Sequence, residues 1–258
     1  MSGNNLFMNK KLDDKITILY NDDDILVVKK KAGIPSAPLK STETDNALFY
    51  VSKIFPKIIN VKNLYKEVEG GLIHRIDTDT EGLLLFALND ESWQNLYLQQ
   101  KSNSFIKEYT AFCNKIDDNS RTLPGFPEFV FKDINLNKNI LIQSKFRNYG
   151  PKGREVRPVF ENENTYAQKK ASNKLYSTEI LEVNKFDNYY KILCKINAGY
   201  RHQVRCHLAW AGFPIINDKI YNSSCVENDS VGNLQFYASK LEFNHPKTNQ
   251  LVKFAIDV

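Results

Sequence analysis

The sequence predicts an α+β fold built on a largely antiparallel β-sheet. Short strand-like segments follow one another in hairpin order along the 258 residues, and few helical segments separate them. Gly, Pro, Asn and Asp cluster between the apolar segments and mark the turns. No change in composition is sharp enough to divide the chain, so we expect a single domain.

The first half of the chain combines strands with two helices. We expect strands at residues 16–20, 24–30, 72–76 and 83–88. A helix is predicted over residues 45–55, where apolar side chains recur on one face. A second helix is predicted to end near Gln100, with Asn89 or Asp90 as its N-cap.

The second half contains mostly strands. We expect them at residues 105–113, 175–183, 189–197, 234–243 and 251–258. The strands at 175–183 and 189–197 are predicted to form a hairpin around residues 186–188. Residues 105–113 alternate between two faces, as a strand does. The stretch that follows, to about residue 173, is predicted to be rich in loops. One helix is expected over residues 202–211.

The composition is that of an ordinary globular protein, with 42% hydrophobic, 12% aromatic and 25% charged residues. The longest apolar run, residues 83–88, is far shorter than the ~20 residues that span a membrane. The N-terminal residues lack the apolar segment of an export signal, so a cytoplasmic protein is expected. The four cysteines form no C-x-x-C pair and the four histidines are scattered, so we expect reduced thiols and no metal.

The net charge of +5 is concentrated in one segment. Residues 145–175 contain eight basic and three acidic residues, and eight minus three accounts for the whole excess. Such a patch predicts a polyanionic partner. A solvated loop is the alternative that the charge alone leaves open.

Two segments carry candidate catalytic residues. In the first, residues 70–89, an apolar strand ends at His74, Arg75 and Asp77 beside a turn. Asp77 is a candidate nucleophile or base, although aspartate also caps turns. In the second segment Arg201 and Arg205 lie four residues apart, so we expect them on one helix face. An arginine beside a carboxylate keeps that carboxylate ionised.

The first segment reads HRIDTDTEGLLLFA and resembles the signature HRLDxxTSGLLLFAK of the RluA family of RNA pseudouridine synthases. Four more blocks of that family find similar segments here in the same order, so the resemblance covers nearly the whole chain from residue 16. Those segments are DDDILVVKKKAG (22–33), IKEYTA (106–111), AGYRHQVRCHLAWAGFPIINDKIY (198–221) and FYASKLEFNHPKT (236–248).

The chain departs from the family pattern at four positions. Lys31 stands where proline is usual, and Glu81 stands where serine is common. Tyr200 replaces an arginine, with Arg201 directly after it, and Asn217 replaces a glycine. These changes concern local RNA contacts and leave the residues of the reaction in place.

The resemblance implies the pseudouridine synthase fold, a bent and mostly antiparallel sheet flanked by helices with a central active-site cleft. It implies a catalytic domain over residues 16–258, preceded by an N-terminal extension over residues 1–15. Residues 145–174 would be a basic insertion. We expect no S4-like RNA-binding domain, since too few residues precede residue 16.

The resemblance also assigns an activity, the isomerisation of specific uridines in structured RNA to pseudouridine. Asp77 would be the essential catalytic group, paired with Arg205, while Tyr109 stacks on the target base. Arg75 would help to extrude the uridine from its stack. No metal or organic cofactor is implied. Ribosomal RNA is the favoured substrate, transfer RNA is possible, and a monomer is expected.

We predict that four basic residues bind substrate phosphates: Arg201, Lys152, Arg154 and Arg157. Lys30 is expected to support the backbone, and His74 and His202 are expected to be structural hydrogen-bond partners.

Two alternatives remain open at this point. One is a catalytically inactive RNA-binding protein of the same fold, and the other is an aspartate-dependent RNA hydrolase. A hydrolase usually needs a second acid or a metal, and only Asp79 and Glu81 lie near Asp77 in sequence.

Overall fold

A computed structural model of the chain describes residues 10–116, 123–128, 140–160, 164–225 and 232–258. The chain divides into two compact units. The first unit consists of Met1–Lys107 and Tyr237–Val258, and the second consists of Glu108–Phe236. Within the described ranges, no helix has both the length and the apolar character that crossing a membrane requires.

The sheet of the first unit has the strand order β1-β2-β3-β4-β10-β11. Its strands are β1 (Lys10–Lys11), β2 (Ile16–Asn21), β3 (Ile25–Lys30), β4 (Glu81–Ala87), β10 (Phe236–Asn244) and β11 (Leu251–Ala255). Its helices are α1 (Ala47–Ser52) and α2 (Asp90–Lys101), with short 3-10 helices at Pro56–Asn60 and Glu67–Glu69. The pairing is antiparallel except between β4 and β10, which run parallel.

The core of the first unit lies around β3 and β4, which are almost wholly buried. A continuous apolar run suits a strand that is covered on both faces. Helix α2 buries Trp93 and Leu96 in the same core, and its predicted N-cap is confirmed because Asn89 accepts a hydrogen bond from the Ser92 amide. Gly82 lies where β4 meets β10. A Cβ atom there would stand 2.4 Å from the Ala238 carbonyl oxygen, so only glycine fits.

The second unit has the strand order β5-β9-β8-β6-β7. Its strands are β5 (Ile106–Cys113), β6 (Ile140–Tyr149), β7 (Glu155–Val159), β8 (Tyr176–Lys185) and β9 (Tyr190–Ile196). Its helices are α3 (Thr165–Lys169) and α4 (Gln203–Trp210), with 3-10 turns at Pro151–Gly153 and Ser223–Cys225. The predicted hairpin of β8 and β9 is confirmed.

The loop predicted up to residue 173 is wrong over β6 and β7, which form an antiparallel hairpin. Alternate side chains of β6, at Ile142, Ser144 and Phe146, are buried, whereas the basic residues of the strand, Lys145 and Arg147, are partly exposed. The charged residues therefore occupy the outer face of a strand. The basic segment is part of the sheet, since β6 also pairs with β8.

The strand predicted at residues 72–76 is also wrong. Leu72 makes a single bridge to Phe86, and the Ile73 amide bonds to Leu85, after which the segment leaves the ladder. Ile76 bonds instead to a side chain, because the Ser36 Oγ accepts from its amide at 3.1 Å and donates to its carbonyl at 2.8 Å. The chain therefore turns outward just before Asp77.

Candidate active site

The turn that carries Asp77 is closed by backbone and side-chain bonds. The Thr80 amide bonds to the carbonyl of Asp77 at 3.1 Å. The carbonyl of Thr78 accepts from the Gly33 amide at 2.9 Å and from the Lys30 Nζ at 3.0 Å. Asp77 is half-buried. The segment that follows β3 thus positions the turn.

Lys30 is fully buried, and its ammonium donates to the carbonyls of Lys31, Ile34 and Thr78. Burial lowers the pKa of Lys30 to about 8, against the opposing effect of the nearby carboxylates of Asp77 and others. Three bonded carbonyls use all three donors of the ammonium. The predicted backbone-supporting role of Lys30 is confirmed.

Arg75 points away from the core, with 56% of its side chain exposed. Among the residues that the structure describes, one polar contact restrains it, a 3.3 Å bond from its Nη1 to the largely buried carboxylate of Glu69. Lys66 lies 3.7 Å from the same oxygen. A single long contact to an exposed guanidinium is weak, so Arg75 can leave it at little cost.

His74 is buried, and among the described residues neither of its ring nitrogens has a hydrogen-bond partner. The prediction that His74 is a structural hydrogen-bond partner is therefore wrong for the part of the chain that the structure describes. Burial, with the nearby charge of Lys107, lowers the pKa of His74 to about 3, so the ring is neutral. It packs against Phe105 with 5.6 Å between ring centroids.

In the second unit, Arg205 is bound to Asp218 in a buried bidentate pair. Its Nε and Nη2 donate to the two carboxylate oxygens of Asp218, each at 2.8 Å. Asp218 is wholly buried and also accepts from the amides of Ile220 and Tyr221. This carboxylate fixes the plane of the guanidinium. Its role was missed in the sequence, where Asp218 appeared only as part of a family block.

Tyr109, on β5, is 7% exposed and stacks on Phe236, with 5.1 Å between centroids and 12° between ring planes. Its ring is thus held flat against another aromatic ring. A rigid ring of this kind is suited to stack on a nucleobase.

Arg201 lies outside α4, contrary to the prediction that it shares a helix face with Arg205. The reason is His202, whose left-handed backbone (φ 56°) separates it from the helix. Arg201 donates to the Asn148 side chain and the Glu155 carbonyl, each at 3.1 Å, and to the carbonyl of Gly153. It thereby ties the tip of the β6–β7 hairpin. The structural role of His202 is confirmed by a 3.0 Å bond to the Tyr221 hydroxyl.

The three basic hairpin residues differ in exposure. Lys152 and Arg154 are exposed at the tip, whereas Arg157 is 2% exposed. Arg157 bonds to Glu155 at 2.6 Å and to two backbone carbonyls, and it lies over the ring of Tyr149. A buried guanidinium with these partners does not reach a phosphate. Its predicted phosphate contact is therefore wrong, and Arg157 supports the hairpin instead.

One group of potential metal ligands occurs within the described residues: Asp22, Asp24 and His245. His245 bonds to Asp22 at 2.8 Å, and Asp22 accepts from the amides of Asp24 and Ile25. The other ring nitrogen of His245, Nδ1, accepts from the amides of Lys247 and Thr248, so the ring holds a turn. These bonds explain the cluster as a structural element.

Comparison with known proteins gives this geometry a context. The sequence model of the RNA pseudouridylate synthase family matches residues 24–210. The chain is 24% identical over 240 residues to an uncharacterized RNA pseudouridine synthase, YlyB, of Bacillus subtilis, covering 93% of this chain and 68% of that protein. It is 26% identical over 217 residues to ribosomal large subunit pseudouridine synthase D of Buchnera aphidicola, covering 83% of this chain and 57% of that protein.

Solved structures agree on the fold. Human RNA pseudouridylate synthase domain containing 1 superposes with a TM-score of 0.66 at 18% identity, covering 97% of this chain and 86% of that one. Human RNA pseudouridylate synthase domain containing 4 superposes with a TM-score of 0.59 at 14% identity, covering 93% of this chain and 88% of that one. The fold is thus the α+β fold of pseudouridine synthases. The chain belongs to the RNA pseudouridylate synthase family and is an isomerase that acts on RNA.

Proposed function

We propose that the chain converts specific uridines of structured RNA to pseudouridine, with Asp77 as the essential catalytic group. In this reaction the bond between ribose C1′ and base N1 breaks, and a bond between C1′ and C5 forms. The C5 proton is lost and N1 gains one, so the atoms balance without a cofactor. A carboxylate can carry the reaction by attacking the ribose or base or by assisting elimination.

The turn around Asp77 is the observation that carries the proposal. Lys30 and Gly33 both donate to the carbonyl of Thr78, and Ser36 donates to the carbonyl of Ile76, the residue before Asp77. A catalytic group needs a fixed orientation, and bonds from three separate residues supply it here. In the sequence this turn begins in the HRID segment, residues 74–77, with which the family signature opens.

We propose that Arg205 pairs with Asp77. The two bonds to Asp218 support this role, because they orient the whole planar guanidinium, including the remaining nitrogen Nη1. Tyr109 would stack on the target uracil with its ring braced by Phe236, and its hydroxyl would assist removal of the C5 proton.

Arg75 would fill the space of the extruded uridine, a role that its exposure and single weak contact support. Lys152, Arg154 and Arg201 would bind RNA phosphates near the hairpin tip, since all three are exposed. Residues 16–258 would form the catalytic domain, and residues 1–15 the extension, of which Lys10 and Lys11 form β1.

Ribosomal RNA is the substrate we propose, because three relatives are named ribosomal large subunit pseudouridine synthase D. Transfer RNA is the second candidate. We further propose a monomer that works in the cytoplasm without metal or organic cofactor. The four free cysteines are consistent with a reducing compartment.

The decisive experiment compares the wild type with Asp77→Asn on ribosomal and transfer RNA transcripts. We expect pseudouridine with unchanged RNA mass from the wild type. The variant should fold and bind RNA but form no pseudouridine. Mass spectrometry after chemical labelling of pseudouridine provides the measurement.

Asp79→Asn is the matched control, because Asp79 lies in the same turn and is exposed. It should retain activity. A change in RNA mass would indicate hydrolysis, and binding without any new base would indicate an inactive RNA-binding protein. Residual activity of Asp77→Asn above a trace would exclude Asp77 as the essential group.

A further inference from the structure

Two tyrosines of the first unit form an aromatic ledge, defined here as Tyr65 and Tyr97. Tyr65 is 56% exposed and meets Tyr97 edge to face, with 5.1 Å between ring centroids. Tyr97 stacks on the buried Trp93 at 5.2 Å and 16°. Neither tyrosine belongs to a block that the family resemblance quoted, and the proposed reaction does not use them.

The ledge is rigid. The side chain of Asn63 accepts from the amides of Tyr65 and Lys66 and donates to the carbonyls of Gly70 and Leu72. The loop that presents Tyr65 is therefore locked at both ends. An exposed large aromatic ring on a fixed loop offers a stacking surface with little entropy to lose on binding.

Two lysines lie beside the ledge. Lys66 follows Tyr65 directly in the sequence, and its Nζ lies 3.7 Å from the carboxylate of Glu69. Lys101 lies over the Tyr97 ring, with its Nζ 5.3 Å from the centroid. Aromatic rings interleaved with lysines are the pattern of surfaces that bind single-stranded nucleic acid.

Helix α2, which carries Tyr97, is bonded to the two residues that precede His74. Trp93 donates to the Leu72 carbonyl at 3.3 Å, and Gln100 donates to the Ile73 carbonyl at 2.7 Å. Glu69 lies between Lys66 and Arg75 and contacts both. The exposed side chains from Arg75 to Tyr65 thus follow one another along a single rigid part of the first unit.

We propose that the ledge is a binding site for an unpaired nucleotide that flanks the target uridine, with its base stacked on Tyr65 and its phosphates bound by Lys66 and Lys101. The inference rests on the proposed function, because only an RNA substrate at Arg75 brings such a nucleotide here. The base of such a nucleotide presents a flat face to Tyr65, and its phosphates complement the ammonium groups of Lys66 and Lys101. Stacking is sequence-tolerant, so the site selects for an unpaired strand rather than for a base.

The test measures binding of a fluorescein-labelled RNA stem-loop with unpaired flanks, in the Asp77→Asn background to prevent turnover. Tyr65→Ala should weaken binding roughly five- to hundredfold, the range of one lost base stack. Tyr65→Phe and Tyr65→Trp should bind as the parent does, because they keep the ring. Lys101→Ala should lower the salt slope of binding by about 0.7.

Phe186→Ala is the matched control, since Phe186 is 44% exposed and stacks on Tyr189 at 4.7 Å in the second unit. It should leave RNA affinity unchanged, as should Tyr65→Ala on a fully paired duplex. The inference would be overturned if Tyr65→Ala lost as much affinity for the duplex as for the stem-loop. It would also be overturned if Tyr65→Ala, with the urea midpoint of the parent, bound the stem-loop with unchanged affinity.

The two proposals fail in different ways. If the wild type forms pseudouridine while Tyr65→Ala binds the stem-loop normally, the ledge is refuted and the activity stands. If the wild type forms no pseudouridine but the Tyr65 effect on the unpaired flank persists, the ledge stands as an RNA site and the proposed reaction is refuted.

Discussion

The HRID segment of the first unit and the α4 segment of the second each contain an arginine and a histidine, yet they hold them in opposite ways. Arg75 is exposed and has one 3.3 Å contact, whereas Arg205 is buried with two 2.8 Å bonds to Asp218. The ring nitrogens of His74 have no hydrogen-bond partner among the described residues, whereas His207 bonds to the hydroxyls of Ser144 and Thr178.

The difference indicates two kinds of work. A guanidinium locked by a buried carboxylate can orient a charge but cannot move, because leaving its partner would expose an unpaired buried ion. A guanidinium on a weak surface contact can move, because such a contact contributes at most about 1 kcal/mol. We therefore propose electrostatic positioning for Arg205 and displacement of the base for Arg75.

The largest effect is expected when the fixed arginine loses its partner. Asp218→Asn should destabilise the fold by up to roughly 3–5 kcal/mol, since it removes the buried carboxylate that accepts from two Arg205 nitrogens. Arg205→Met should cost less, because backbone amides still bond to Asp218. Urea unfolding measures both, and the double variant should lose less than the sum. Additive losses would show that the two residues are not coupled.

The mobile arginine should show the reverse pattern. Arg75→Ala should slow pseudouridine formation roughly 10- to 100-fold, a barrier increase of about 1.4–2.8 kcal/mol. Its free energy of unfolding should change by less than about 1 kcal/mol. Single-turnover rates and urea unfolding separate the two effects. A large loss of stability in Arg75→Ala would remove the contrast with Arg205.

The two buried histidines provide a pH test. Burial lowers the pKa of each to about 3, against 6.5 in the unfolded chain. Between these values the unfolded state binds more protons, so stability is full above pH 6.5 and falls as pH drops toward 3. The slope is up to about 1.4 kcal/mol per pH unit for each residue.

His74→Phe should remove the contribution of one histidine from the slope of unfolding free energy against pH. It should not lower the free energy of unfolding near pH 7, because no hydrogen bond to a described residue is lost. His207→Phe should flatten the slope equally but cost about 1–3 kcal/mol at pH 7, since it deprives Ser144 and Thr178 of their bonds. Urea unfolding at pH 4.5 and 7 measures both. Equal costs at pH 7 would contradict the contrast in partners.

The smallest effect concerns the hairpin tip. Replacing Lys152 and Arg154 with alanine should lower the slope of log affinity against log salt by about 1.4–1.8, or 0.7–0.9 for each lost phosphate contact. The rate on bound RNA should not change. Lys185→Ala with Lys247→Ala, both exposed, is the control. An unchanged slope would identify the tip as a solvated turn.

The sequence predicted most strands and helices because their patterns are local. The β8–β9 hairpin and the Asn89 cap depend on neighbouring residues and appear as predicted. The strand expected at residues 72–76 fails because Ser36, 40 residues away, takes the hydrogen bonds of Ile76. No local pattern contains that bond.

The candidate site shows the same division. The HRID block identified Asp77 and Arg75, but the burial of Arg157 depends on tertiary packing around Tyr149 and Phe126. The position of Asp218 against Arg205 is likewise a contact across 13 residues that helix spacing does not predict. Charge count alone could not separate the buried arginine from the exposed ones.

The bonds that hold the Asp77 turn have a consequence for the order of folding. They join Ser36 to Ile76 and Lys30 to Thr78, across 40 and 48 residues, so each must close a long loop before it stabilises anything. Pairing of β3 with β4 closes the same long loop, so we expect the turn to form together with that pairing or after it. A partial opening at that edge would release the turn while much of the core stays folded, so catalytic competence is lost earlier than the fold itself.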